Sequence, residues 1–204
     1  MSDNFKDQSG VLIQGHIHIH DPAAGTTYVN KRNAIHYENM SISLAESIAN
    51  KGDGWIYELS LGNGGTSVDP TGIITYLTPN TTGTNASLYN QTYSKVVDDR
   101  SVNNIDPIRN KIETRHISGT NYTDIVVTCL LDYGEPNGQD AFDTATDENS
   151  SFIFDELGLR SYSLDGTGRL LTHVIFHPVQ KSLNRLIQID YTVRVQSLSG
   201  FNEG

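Results

Sequence analysis

The sequence predicts a mainly β protein, an antiparallel β-sandwich on which one amphipathic α-helix packs. Several short segments alternate apolar with polar residues, and Gly, Asn, Ser and Thr are plentiful between them, which is typical of many short strands joined by turns. Residues 34–50 have the apolar spacing of an amphipathic helix. With 204 residues, we expect a single domain over residues 11–196, flanked by a polar N-terminal arm at 1–10 and a C-terminal tail at 197–204.

A β-hairpin is the first predicted element. Residues 11–20 alternate apolar and polar side chains and end in His16-Ile17-His18-Ile19-His20, as expected of a strand with one buried face. The segment Asp21-Pro22-Ala23-Ala24-Gly25 predicts a turn, because Pro fixes φ and Gly tolerates positive φ. Residues 26–30 should therefore return as the second strand, and we expect this hairpin to leave a sheet edge exposed.

The predicted helix, at about residues 34–50, follows the hairpin directly. One of its faces carries apolar residues at three- and four-residue spacing, namely Tyr37, Met40, Leu44, Ala45 and Ile48. We expect this face to pack on a sheet. The helix should end at Asn50-Lys51-Gly52, where Gly52 can take the left-handed conformation that closes a helix.

A strand is predicted next, at residues 55–61, and it ends in the glycine-rich turn Gly62-Asn63-Gly64-Gly65. Its apolar side consists of Trp55, Tyr57, Leu59 and Leu61. We expect Trp55 to be internal, and we attribute the glycines to the geometry of the turn.

Further strands follow a long polar segment at residues 66–109. The residues at 88–97 fit a strand or a short helix, and the strand at 122–133 has apolar residues on both faces, so we expect it to be central in its sheet. The remaining predicted strands span residues 73–77, 111–116, 170–177 and 186–195.

The charge balance disfavours a nucleic-acid partner. The formal net charge is -10 and the pI is about 5.0, whereas phosphate binding depends on clustered Lys and Arg, which are scattered here. No stretch approaches the roughly 18 apolar residues of a membrane span, and the first ten residues lack the order of a secretory signal. We therefore expect a chain that is made in the cytoplasm and has no membrane partner.

The first strand contains the strongest candidates for metal ligands. His16, His18 and His20 are two residues apart, so they share one face of a strand and can bind a metal ion as neutral imidazoles. Three chains that meet on a threefold axis could also share one ion through such pairs. The motif has no acidic or Cys partner beside it, and strand alternation alone places three polar side chains on an outer face. We therefore expect no metal and no cofactor.

The other reactive residue types form no catalytic pattern. Cys129 lies in an apolar run, so its thiol should be buried and inert, with a raised pKa. Asp155 and Glu156 are adjacent and should diverge on a strand, which does not suit paired acid and base chemistry. His173 and His177 share a strand face, but no spacing links them to another histidine. We therefore expect no enzymatic activity.

The order of several short motifs resembles a family of structural proteins of tailed bacteriophages, found as adaptor or fibre-attachment domains. The motifs are Lys31-Arg32-Asn33-Ala34-Ile35, Leu61-Gly62-Asn63-Gly64, Asp155-Glu156-Leu157-Gly158-Leu159, the closing segment Leu170-Leu171-Thr172-His173-Val174-Ile175-Phe176-His177-Pro178-Val179-Gln180-Lys181, and the last strand from Leu186 to Val193. They span nearly the whole chain. The segment at 66–109 is longer and more polar than the family's pattern.

The resemblance implies a structural component of the phage particle, at the tail, neck or baseplate, with no active site to carry over. Its partners would be other virion proteins and copies of itself in a symmetric ring or array, after synthesis in the host cytoplasm. The polar ends and loops agree with this, because they are too polar to pack a core but can order against a neighbour. Two alternatives are a capsid decoration protein and a carbohydrate-binding module, which normally exposes a row of aromatic side chains.

Overall fold

A computed structural model describes residues 9–137 and 151–199. Within these ranges two antiparallel five-stranded sheets and a single helix are present, which confirms the predicted mainly β sandwich with one helix. The elements are β1 (Ser9–Asp21), β2 (Thr26–Arg32), β3 (Ala34–Ile35), α1 (Tyr37–Ala49), β4 (Ile56–Gly62), β5 (Thr66–Val68), β6 (Ile74–Tyr76), β7 (Gln91–Val96), β8 (Lys111–His116), β9 (Tyr122–Leu131), β10 (Ser151–Ser161), β11 (Thr172–Ser182) and β12 (Ile187–Ser199).

The hydrophobic core lies between the two large sheets. The first sheet has the strand order β2-β1-β12-β9-β8 and the second has the order β3-β11-β10-β4-β7, while β5 and β6 form a separate hairpin. Ile17 and Tyr191 of the first sheet and Leu59 and Phe154 of the second belong to the core and have no exposed surface. Because side chains alternate along a strand, each sheet also has an outer face.

The predicted first hairpin is confirmed, and both of its strands are longer than expected. β1 pairs antiparallel with β2, which forms an edge of the first sheet. On its other side β1 pairs with β12, which places Ile17 opposite Tyr191 on the core face and His18 opposite Asp190 on the outer face. β1 begins at Ser9 and β12 continues to Ser199, so both strands extend into the segments predicted to be a polar arm and tail.

The strand β9 is interior but not central. Val127 and Cys129 face the core without exposure, while Val126 and Leu130 are buried on the opposite face. The middle strand of the sheet is nevertheless β12. The strand β9 has β12 on one side and β8 on the other, so it is flanked on both sides as expected but lies one position from the middle. Beyond the stretch paired with β8, Asn110 accepts a hydrogen bond of 2.9 Å from the Leu130 backbone N–H.

The helix α1 is shorter than predicted. Ala34–Ile35 pair with β11 as a short strand, so the helix begins only at Tyr37. His36 caps its start, because its Nδ1 accepts a hydrogen bond of 3.2 Å from the Asn39 backbone N–H. At the other end Asn50, and not the predicted Gly52, closes the helix in the left-handed conformation, with φ of 51°.

The predicted apolar face of the helix is only partly correct. Met40 is buried in the core, but three of the other predicted residues are exposed, namely Tyr37, Ala45 and Ile48. The buried side of the helix also includes the polar residues Asn39 and Ser43. The buried Asn39 side chain donates a hydrogen bond of 3.0 Å to the Leu170 carbonyl, which joins this side of the helix to the body of the sandwich.

The strand after the helix begins one residue later than predicted, because β4 spans Ile56–Gly62. Trp55 is 36% exposed, so the expectation of an internal tryptophan was wrong. The polar side of β4 is not solvated either, since Ser60 is fully buried.

Part of the polar segment at residues 66–109 covers this outer side of β4. Residues 77–90 lie over the outer face of the second sheet, where Leu88 is buried and Ser87 lies 3.3 Å from Arg160 Nη2 of β10. The short hairpin of β5 and β6 precedes this covering segment; the sequence predicts β6 but not β5. Of the residues at 88–97, Gln91–Val96 form the strand β7, and none is helical.

The helix α1 is too short to span a membrane, and no other helix occurs in the described ranges.

Candidate functional site

The outer face of the first sheet carries a cluster of two imidazoles and one carboxylate. His18 and His20 stand two residues apart on β1, and Asp190 lies opposite His18 on β12. The three side chains are partly buried, and their potential ligand atoms all lie within 4.8 Å of one another. Over residues 9–137 and 151–199, this is the one group of three or more His, Cys, Asp or Glu side chains with such spacing.

Hydrogen bonds hold the cluster from both sides. His20 Nε2 lies 3.0 Å from Asp190 Oδ2, and His18 Nε2 lies 3.0 Å from the Thr27 hydroxyl on β2. The two imidazole rings stack, with centroids 4.4 Å apart and planes 11° from parallel. Gln188 donates a hydrogen bond of 2.9 Å to Asp190 Oδ1. The carboxylate is therefore oriented with its second oxygen toward the imidazoles.

Two of the three predicted ligand candidates belong to this cluster. His16 is exposed and lies outside it. The sequence missed Asp190, which is 170 residues away from His20. The alternation of the last strand predicts that Asp190 points outward, but nothing in the sequence indicates that this strand pairs with β1.

The other histidines have separate contacts. His36 caps the helix, and His116 Nδ1 lies 3.0 Å from a backbone carbonyl of β9. His177 is exposed and its Nδ1 lies 3.1 Å from the Tyr76 hydroxyl, whereas His173 is fully buried. In the part of the chain that the structure describes, these four side chains form no common site.

A second imidazole–carboxylate pair lies beneath the segment that covers the second sheet. His173 Nε2 is 2.9 Å from Glu156 Oε2, and neither side chain is exposed. The Asn80 backbone N–H donates to His173 Nδ1 at 2.8 Å. Nδ1 therefore carries no proton, and the ring is the neutral tautomer that donates from Nε2 to Glu156.

The Glu156 carboxylate is saturated with hydrogen bonds. Besides His173, it accepts from the backbone N–H groups of Gly64 (3.1 Å), Tyr89 (2.9 Å) and Asn90 (2.8 Å). Four donors fill the acceptor positions that a carboxylate offers. The pair therefore fixes the glycine turn and the covering segment to the sheet, and it leaves no oxygen for a substrate.

Asp155 and Glu156 converge on the same turn, so the prediction that they diverge was wrong. Asp155 accepts hydrogen bonds of 2.9 Å from the backbone N–H groups of Gly65 and Thr66. The physical reason is a β-bulge, because the pairing of β10 with β11 changes register between Phe154 and Glu156. A bulge breaks the strict alternation of side chains along a strand.

The glycine turn is required by close packing and not by turn geometry. A Cβ atom on Gly62 would lie 2.3 Å from the Asn90 carbonyl oxygen, and one on Gly64 would lie 2.8 Å from Tyr89 Cβ. Neither glycine has a positive φ. The sequence predicts the turn correctly but gives the wrong reason for its composition.

Glu156 and Asp155 are both buried, but their pKa values shift in opposite directions. Burial alone would raise the pKa of Glu156, but hydrogen bonds from His173 and from the Asn90 and Tyr89 backbones outweigh it, so the pKa is lowered. For Asp155 burial dominates over its hydrogen bonds, and its pKa is raised. Glu156 is thus the carboxylate that the surrounding donors keep ionised.

The Cys129 thiol and the Lys181 amine are two further buried groups whose surroundings indicate a structural role. Burial raises the pKa of the Cys129 thiol to about 12, as the sequence predicts for a buried cysteine. Lys181, the last residue of the closing motif, donates to the carbonyls of Asp132 (3.0 Å), Glu135 (2.6 Å) and Ser182 (2.9 Å). Burial lowers the pKa of Lys181 to about 8.

The loop at residues 98–110, between β7 and β8, presents apolar side chains to solvent. Val102 is 98% exposed, Ile105 is 84% exposed and Ile108 is 82% exposed. We call this segment the apolar loop. Large apolar residues that are exposed singly are common, but three in one short loop mark a candidate contact surface.

Buried asparagines fix the shape of the apolar loop. Asn104 donates to the carbonyls of Asp98 (3.2 Å) and Asn110 (2.8 Å), and it accepts from the Asp106 backbone N–H at 3.1 Å. Both Asn104 and Asn110 are buried. The loop is therefore ordered by its own polar groups while its apolar side chains point outward.

An aromatic cluster anchors the beginning of the apolar loop. Trp55 and Tyr162 stack with centroids 4.6 Å apart, and Trp55 Nε1 donates to Asp98 at 3.1 Å. The Tyr57 hydroxyl accepts from Asn103 at 3.0 Å. These aromatic rings pack against one another and together line one open pocket on the surface.

An apolar cavity of about 440 Å³ lies near this anchor, between α1 and both sheets. Met40 and Leu44 of the helix line it together with Ile125 and Val193 of the first sheet, and Asp99 lies on its wall.

No protein-family model, no curated protein and no solved structure matches the chain.

Proposed function

We propose that this protein is a structural component of a tailed-bacteriophage particle, an adaptor of the tail, neck or baseplate without catalytic activity. It would act by binding other virion proteins and copies of itself in a symmetric array, and it would reside in the virion. The order of sequence motifs suggests the class of particle. The observation that carries the proposal of assembly is the apolar loop, with Val102, Ile105 and Ile108 exposed on one ordered segment.

Order in the loop makes it suitable for binding. A loop that is already fixed loses little conformational entropy when a partner covers it, so more of the apolar burial appears as affinity. Asn104 and Asn110 provide this order from within, and Trp55 and Tyr57 provide it from the body of the sandwich.

Exposed strand edges supply a second kind of contact. β2 and β8 are the outer strands of the first sheet. An edge strand has unpaired backbone groups that can pair with a strand of another chain. Repeated structural chains usually close such contacts by rotational symmetry.

The proposal is tested by assembly of the purified chain, measured by light scattering, electron microscopy and co-sedimentation with phage particles. We expect wild type to form oligomers or to co-sediment. A triple variant, Val102→Ser with Ile105→Ser and Ile108→Ser, should fold normally and lose at least about tenfold in association. Leu164→Ser is the matched control, because Leu164 is 77% exposed in a different turn.

Two results would contradict the proposal. One is a wild-type chain that stays monomeric and never co-sediments with particles. The other is a triple variant that associates as well as wild type, which would remove the apolar loop from the contact surface. Binding to a glycan array instead would favour the carbohydrate-binding alternative.

A further inference from the structure

We infer that His18, His20 and Asp190 form a binding site for one divalent transition-metal ion of the Zn²⁺ type, which links β1 to β12. The inference rests on the geometry and chemistry of the outer face of the first sheet, and it does not depend on the proposed role in a phage particle. No other described group of side chains has the required spacing.

The spacing of the three side chains suits one ion. Zn²⁺ binds imidazole nitrogen and carboxylate oxygen at roughly 2.0–2.2 Å, so two ligand atoms on a tetrahedral ion lie about 3.4 Å apart. His20 Nε2 and Asp190 Oδ2 are already 3.0 Å apart, and all three ligand atoms fall within 4.8 Å. Small rotations of these partly buried side chains on rigid strands are enough to close the remaining distance.

The donor set selects the class of metal. Two imidazole nitrogens and one carboxylate oxygen are typical ligands of Zn²⁺, Co²⁺, Ni²⁺ and Cu²⁺, whereas Mg²⁺ and Ca²⁺ prefer a shell of oxygens. Three protein ligands leave at least one coordination position open. That position faces the solvent, because the cluster lies on the outer face and the Asp190 side chain is 31% exposed.

The surroundings of the cluster favour a cation. Its hydrogen-bond partners outside the three side chains are neutral. Thr27 bonds to His18, and Thr128 and Gln188 bond to Asp190. No Lys or Arg is among these hydrogen-bond partners. The whole chain carries a net charge of -10, which also attracts cations.

The supporting hydrogen bonds orient the ligands. Gln188 holds Asp190 Oδ1 at 2.9 Å and leaves Oδ2 for the metal. Outer partners of this kind fix the direction of metal ligands and raise affinity. The matching register of β1 and β12 makes the site part of the sheet and not of a loop, so the ligand backbones are held before the ion arrives.

The test is titration of the metal-free full chain with ZnCl₂ by calorimetry and with CoCl₂ by visible absorption. We expect one ion per chain. His18→Ala and His20→Ala should each weaken binding by at least about 100-fold, and Asp190→Asn by at least about tenfold. At an ion concentration of about 100 times the dissociation constant, Zn²⁺ should raise the Tm of wild type by about 5–10 °C.

His16→Ala is the matched control, since it removes the same kind of side chain two residues away on the same strand. It should bind Zn²⁺ as wild type does, and the melting curves without metal show whether each variant is folded. The site is ruled out if wild type binds no stoichiometric ion, or if His18→Ala and His20→Ala both bind as tightly as wild type. Equal loss of binding in His16→Ala would also overturn the assignment to these three residues.

Discussion

The two sheets each carry an imidazole beside a carboxylate, and the comparison shows how surroundings decide the role of one chemical pair. On the first sheet His20 and Asp190 are 3.0 Å apart and partly exposed. On the second sheet His173 and Glu156 are 2.9 Å apart and fully buried. The distances are nearly equal, so distance alone does not distinguish a binding site from a structural contact.

The number of other donors makes the difference. Glu156 accepts from three backbone N–H groups in addition to His173, so all of its acceptor capacity is used within the protein. Asp190 has partners only on side chains that can move, and solvent reaches it. A saturated buried pair holds segments together, whereas a pair with free coordination capacity can take a ligand.

The largest expected effect is on the buried pair. Glu156→Gln places an amide NH₂ group against backbone N–H donors and leaves some of them unpaired, so we expect a loss of about 3–5 kcal/mol in the free energy of unfolding. Asp190→Asn, the equivalent change on the other sheet, should cost about 1 kcal/mol or less, because the site is partly solvated. Urea denaturation measures both, and equal losses would contradict the contrast between the sheets.

The glycine turn gives the second prediction. Gly62→Ala places a methyl group 2.3 Å from the Asn90 carbonyl oxygen, where backbone would have to move, so we expect a loss of about 2–4 kcal/mol in stability. Gly119→Ala is the comparison. Gly119 has open space around it and a φ of +85°, so only backbone strain of about 1 kcal/mol is expected. A smaller loss for Gly62→Ala than for Gly119→Ala would show that the turn can relax away from the covering segment.

The class of fold and most strands could be predicted because strand periodicity is local. The strand β8 lies where the sequence placed it, at Lys111–His116, and the inward set of β12, such as Ile187 and Ile189, is buried as expected. The helix face could not be predicted in the same way. Its orientation involves long-range contacts such as the hydrogen bond from Asn39 to the Leu170 carbonyl, which joins residues 131 apart in sequence.

The candidate site could be predicted only in part for a related reason. Alternation placed His18 and His20 on one outer face, but Asp190 joins them through a strand pairing that no local pattern encodes. The convergence of Asp155 and Glu156 depends on a bulge, which breaks the alternation on which the prediction relied. Long-range register and local irregularity are thus the two features that the sequence did not supply.

The third prediction concerns pH. The pKa of Glu156 is lowered in the folded state from its ordinary value of 4.5, so its ionised form stabilises the fold above that pH. This contribution is lost as the pH falls through the lowered pKa. The difference in stability between wild type and Glu156→Gln should therefore be constant above about pH 5 and shrink below about pH 4. Urea denaturation across this range measures it. A difference that instead grows toward acid pH would mean that the pKa of Glu156 is raised.

The last prediction concerns the chemical reactivity of the histidines, and it involves almost no change in the stability of the fold. Diethyl pyrocarbonate modifies imidazoles that solvent reaches, so brief treatment followed by mass spectrometry should label the exposed His16, His116 and His177 first. The partly buried His18 and His20 should follow. His173 has no exposed surface and uses both ring nitrogens in hydrogen bonds, so it should react only as fast as the protein opens. Early labelling of His173 would mean that the covering segment at residues 77–90 opens readily. In that event the number of hydrogen bonds would not distinguish the roles of the two imidazole–carboxylate pairs, because the His173–Glu156 pair would also be open to ligands.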